Sequence, residues 1–187
     1  MTKRQKVAII SLILGIFALI NLVWFVTMGY PYMKYESVMH PYKDEGSSIK
    51  YKYEDDKYIY SIKPAPYMGF ESGFLTVSEK RKYLEYEEMC EGEKIFYHFD
   101  ECDDKIIDEN FRSIDFYYWR KPTKPSKYGI MYYGKDLNAQ ILFDSEFNVL
   151  NGEDCGYQSE FQAVIDEERE VIKDMMDHAK DLWGLEY

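Results

Sequence analysis

The chain has 187 residues and a formal net charge of −11. That balance excludes a protein that captures nucleic acid or anionic lipid by bulk charge, since both are themselves negative. Hydrophobic residues make up 46% of the sequence, too many for a disordered polyanion, and the length suits one compact domain plus an extra segment.

The extra segment is at the N-terminus. Val7–Met28 carries no charged side chain. As a helix rising about 1.5 Å per residue it runs roughly 33 Å, enough to cross a hydrocarbon layer of about 30 Å. It is apolar on every side, unlike the one-sided helix of a soluble core. Ser11 and Thr27 can bond back to their own helix, so Asn21 is the polar group in need of a partner. Trp24, Phe25 and Tyr30 lie where amphipathic rings suit a membrane interface. Lys3, Arg4 and Lys6 precede the segment with no acid among them. The positive-inside bias therefore places residues 1–6 in the cytoplasm as a basic tail and the rest of the chain outside. A cleaved signal peptide is the rival reading, but its apolar core usually runs about 7–15 residues. Ala8, Ser11, Gly15 and Ala18 form a stripe of small residues, a candidate face for self-association or for pairing with another membrane protein.

Residues 29–46 read as a linker, because Pro31, Pro41 and Gly46 oppose regular structure. Residues 47–187 then read as the exported domain. The first 28 residues contribute three positive charges, which leaves −14 on the remainder. Such a surface suits a basic partner, although solubility alone also accounts for it. The 19 tyrosines and 11 phenylalanines favour strands before they favour any ligand.

Alternation predicts a hairpin from Ile49–Glu54 and Lys57–Lys63 around Asp55-Asp56, ended by Pro64 and Pro66. Further strands are expected at Phe74–Ser78, Lys94–Asp100, Phe111–Arg120, Lys127–Gly134 and from Ala139, with Ser145-Glu146 bending or splitting the last. Ser159 opens the clearest helix. Ser159 and Gln162 match a capping box, and Gly184 is placed to end the helix. Phe161, Val164, Ile165, Val171, Ile172, Met175, Ala179, Leu182 and Trp183 make its apolar stripe. A helix of some 36 Å exceeds an ordinary strand of about 20 Å, so it must cross the sheet diagonally, overhang it or bend. The expected fold is α+β: an N-terminal transmembrane helix, then an antiparallel sheet packed by one long C-terminal amphipathic helix.

The chemistry-bearing residues are sparse. Cys90, Cys102 and Cys155 permit at most one internal bridge, with Cys90–Cys102 the nearest pair. His40, His98 and His178 lack a nucleophile at motif spacing. Cys90 or Cys102 with His98 is the nearest approach to a catalytic pair. The acidic run at residues 100–109 lacks the order of a calcium loop. No Gly-rich phosphate loop, G-x-S-x-G or HExxH occurs. No catalytic, metal or cofactor residue is assigned. Tyr117, Trp119, Tyr132 and Tyr133 are a candidate stacking surface for sugar or peptide. In a strand, adjacent rings point to opposite faces, so about half of them turn inward.

The expectation is a single-pass membrane protein whose exported domain binds a protein or envelope component without catalysis. The alternatives are an envelope hydrolase using carboxylates or a Cys/His pair, and an accessory subunit of a membrane complex acting through its anchor.

Overall fold

The structure is a computed structural model and describes residues 2–43, 49–67, 73–80, 112–120, 127–134 and 137–187. Its architecture is α+β: a long apolar N-terminal helix, an antiparallel sheet of seven strands among the described residues, and a helical C-terminus.

Helix α1 spans Lys3–Trp24 and buries none of its residues. Thr2 and Gln5 cap its start reciprocally. The helix does not stop at Met28. It widens into one π turn, Phe25–Gly29, and continues as α2, Tyr30–Glu36. Pro31 does not block this run, because it sits in the first turn of α2. It has no N–H to donate to Thr27 O four residues earlier, and the Arg120 Nε–H, 3.3 Å away, donates there instead. A side chain from the sheet thus satisfies the carbonyl that the proline leaves open.

Residues 29–46 are consequently not an irregular linker in their first half. Met28, Tyr32, Tyr35 and Met39 belong to the same buried cluster as the sheet. The spacing of 28, 32, 35 and 39 is one helical stripe, turned onto the domain.

The strands are β1 (His40–Pro41), β2 (Tyr51–Glu54), β3 (Tyr58–Lys63), β4 (Phe74–Glu79), β5 (Arg112–Trp119), β6 (Lys127–Gly134) and β7 (Asn138–Leu142). They lie side by side in chain order, every pair antiparallel. The expected hairpin exists, with Asp55–Lys57 as its loop and Tyr53 opposite Tyr60. The expected strand at Lys94–Asp100 lies outside the described residues, as do Cys90, Cys102, His98 and the acidic run.

Register sorts the two faces. Tyr58, Tyr60, Ile62, Leu75, Val77, Ile114, Phe116, Tyr118, Ile130 and Ile141 line one face and form the core. Gly129 is required on the other face, since a Cβ there would lie 2.3 Å from Ile141 O.

After β7 the chain turns at Ser145-Glu146 and returns so that Phe143 bridges Val149. The C-terminal helix covers the core face in two pieces, α3 (Gln158–Glu167) and α4 (Arg169–Trp183). Bending is how a helix too long for the sheet is accommodated. Glu168 is the break, and Arg112 reaches both Glu167 and Glu168 there. Every residue of the expected stripe is buried or packed against the core, joined by Met176 and Leu185. Gly184 ends α4 at φ +66, a left-handed position that suits glycine.

The capping box at Ser159 does not form. The cap lies two residues earlier, at Tyr157, and the Ser159 hydroxyl donates to Glu160. The Gln162 amide is spent on the preceding turn instead. Its Oε1 accepts from Val149 N and its Nε2 donates to Phe147 O, each at 3.1 Å. Gln158 Nε2 donates to Val149 O, also at 3.1 Å. The two glutamines act on residues 147–149 as a neighbouring strand would.

Candidate functional site

An open groove of about 780 Å³ lies between the end of α2 and the β1–β2 edge. Its lining includes Glu36, Tyr42, Lys43, Lys50, Tyr51 and Pro64. Tyr42 N donates to Lys50 O at 2.8 Å, which carries the sheet pairing past β1 and shapes the floor. Burial raises the Glu36 pKa, and the Tyr51 hydroxyl bond only partly offsets it. Lys52 sets its ammonium 5.4 Å from the centre of the Tyr42 ring. The groove therefore offers two aromatic rings, two lysines and one carboxylate held by a tyrosine. It can grip an extended chain by ring contact and by pairing with an acidic group.

A second polar cluster lies at the other end of the β2–β3 hairpin. Asp55 Oδ1 accepts from the amides of Lys57 and Tyr58, and Asp55 Oδ2 accepts from the Tyr60 hydroxyl at 2.7 Å. Tyr58 and Lys57 both donate to Asp174 of α4. The His178 ring lies edge-on to Tyr58 at 4.8 Å, and its Nδ1 is 2.8 Å from Asp174 O. Burial alone would raise the Asp55 pKa, but the bonds from Tyr60, Tyr58 and Lys57 outweigh it and hold the carboxyl below its usual range. Bonds from Lys57 and Tyr58 do the same for Asp174. Burial, together with the carboxylates they donate to, pushes the Tyr58 and Tyr60 hydroxyls well above their ordinary pKa. These bonds from Lys57, Tyr58 and Tyr60 to Asp55 and Asp174 fasten hairpin to helix.

The second face of the sheet carries three of the four expected aromatic residues. Tyr117 and Trp119 stack at 5.3 Å with their planes 16° apart, and Phe74 meets Tyr117 at 5.4 Å. Tyr133 is on the same face and bonds to Asp115, as does Ser78. Tyr132 is not with them. It is 9% exposed and turned to the core. The Asp115 carboxyl is pushed up to about 6 by its burial, against the two bonds that lower it. Nothing in the alternation of β5 distinguished Asp115 from a solvent-facing acid.

Ala8, Ser11, Gly15 and Ala18 all lie exposed on α1, and a Cβ at Gly15 would meet nothing within 4 Å. Cys155 is free and exposed, with its thiol near Asn151 O and Gly152 O. Among the described residues no group of His, Cys, Asp or Glu is arranged to hold a metal ion. The groove was not singled out by sequence, because its lining comes from three separated segments, none of which carries a motif.

Comparison with protein-family models, with curated proteins and with solved structures finds no match to this chain.

Proposed function

We propose that this is a single-pass membrane protein with its N-terminus in the cytoplasm, and that its extracytoplasmic domain binds a protein or cell-envelope component without catalysis. The observation that carries the reading is the helix running from Lys3 to Glu36, long and apolar enough to span a membrane. Its first part buries no residue and is exposed from Lys3 to Ile20, and its last turns join the domain core. A bare apolar helix of that size has no use for water, and lipid is the solvent that suits it.

The groove at the β1–β2 edge is the binding site. Its tyrosines and lysines suit an extended segment with an acidic group. A basic partner, expected from net charge, would instead meet the outer surface of α3 and α4, where Glu160, Glu167, Glu170, Asp177 and Asp181 are exposed. The two surfaces are separable by mutation. The test is affinity purification of the full chain from detergent-solubilised membranes, with Lys50→Glu and Glu170→Lys variants compared. A partner lost at least tenfold in Lys50→Glu and kept in Glu170→Lys supports the groove. The reverse pattern moves binding to the helical face, and a partner kept by a chain bearing only α1 removes the domain from the function.

A further inference from the structure

We propose that the segment after β3, through Tyr67, seats the domain in the bilayer interface, so that the sheet lies flush on the lipid headgroups and does not stand off on a stalk. The inference rests on the reading of α1 as the membrane span.

Tyr67 is 62% exposed, yet both ends of its side chain are engaged along the helix. Its hydroxyl donates to Asn21 Oδ1, and its ring meets Trp24 edge-on at 5.0 Å. Asn21 lies seven residues before Met28, the first core residue of the helix. At about 1.5 Å per residue the segment therefore reaches back roughly 10 Å beyond the point where the helix enters the domain. A span of about 30 Å beginning after Lys6 ends near Val26, which puts Asn21 roughly 7 Å inside the outer boundary. There the amide finds no bulk water. Its Nδ2 donates to Phe17 O at 2.8 Å, and Tyr67 supplies the remaining bond. Tyrosine suits that depth, because its ring tolerates acyl chains and its hydroxyl seeks a polar group.

The surroundings match. Beyond Val26 the helix still exposes Tyr30 and Met33, at 61% and 57%. Antiparallel register gathers Lys50, Lys63, Arg120 and Lys127 at the strand ends beside this segment. The opposite ends mix both signs, with Glu54, Asp55, Asp56 and Glu79 beside Lys57, Lys80 and Arg112. The acidity of the whole chain thus conceals a basic end across β2–β6, although Asp144 and Glu146 lie past β7. Apolar and aromatic side chains at the helix with cations around them fit a phospholipid interface and its phosphates.

The test uses the full chain, with its three native cysteines changed to serine, in vesicles of phosphatidylcholine and phosphatidylglycerol. A single cysteine carrying an environment-sensitive fluorophore is placed by Phe17→Cys, Pro66→Cys or Asp56→Cys, and doxyl-labelled phospholipid is the quencher. Strong quenching at 17 and 66 with little at 56 is expected, and adding Tyr67→Ala should cut quenching at 66 at least twofold. Quenching at 66 no greater than at 56, with 17 quenched, overturns the seating and leaves the span intact. Undiminished quenching at 66 in Tyr67→Ala overturns the role given to Tyr67. An unquenched label at 17 overturns the span itself.

Discussion

Asp115 shows how one buried carboxyl shapes stability. Its folded pKa is about 6, above the ordinary value of 3.8. A raised pKa means that the folded state holds the proton more tightly, so stability falls as pH rises from about 4 to about 6 and is level above. Asp55 and Asp174 have the opposite sign. Their pKa values are depressed, so their contribution is present above the usual carboxylate range and is lost as pH falls through it. Asp115→Asn keeps an acceptor for Ser78 and Tyr133 and removes the buried charge. It should stabilise the protein by on the order of 1–3 kcal/mol at pH 7 and by nothing below pH 4. Thermal melts of both forms across pH 4–8 check this, and a gap of equal size at every pH would contradict it. Asp115 was illegible in the strand pattern because a carboxylate facing away from the core normally faces water. Its two donors come from β4 and β6, which only pairing brings beside it.

At the scale of the element, the join between helix and sheet depends on Pro31 and Arg120 together. The proline leaves Thr27 O without its helical donor and Arg120 provides one. Arg120→Met should cost about 1–3 kcal/mol, because a carbonyl at a packed join loses its partner. Pro31→Ala restores the missing N–H, so Arg120→Met should cost about half as much in that background. Denaturation of the four proteins in detergent forms the double-mutant cycle. Equal cost in both backgrounds would separate the two residues and leave Arg120 acting through its side-chain bond to Tyr35. Proline and glycine between Gly29 and Gly46 suggested a break, and their effect depends on position. Pro31 in a first turn is compatible with a helix, whereas Pro41 closes the short strand β1. Tyr32 and Tyr35 are buried because their helical stripe faces the sheet. Ser159 and Gln162 failed as a cap for a related reason. Their spacing fits, but a tertiary partner in residues 147–149 competes for the same amide.

For the whole molecule, the span and the domain share one helix and one core. A chain starting at Thr27 retains Met28, Tyr32, Tyr35 and Met39 and should fold as a soluble domain. A chain starting at Ile49 loses all four and should lose several kcal/mol, since each large buried side chain contributes about 1.5–3. Urea denaturation of the two truncations decides between this and a domain that begins after a linker, in which case both would have equal midpoints.

Composition and period determined the long apolar helix, the hairpin, the strands β4 to β7 and the apolar stripe of the C-terminal helix, because each is set by neighbours within a few residues. Charge-free length alone marks Val7–Met28, and alternation alone marks Lys127–Gly134. The tertiary structure decided the rest. It bent the last helix at Glu168, gave Asn21 a partner 46 residues away, turned Tyr132 inward while its neighbour faces out, and drew the groove from three separated segments. Those outcomes depend on which distant side chain competes best for a carbonyl, an amide or a place in the core, and that competition is settled only when the strands and helices have met.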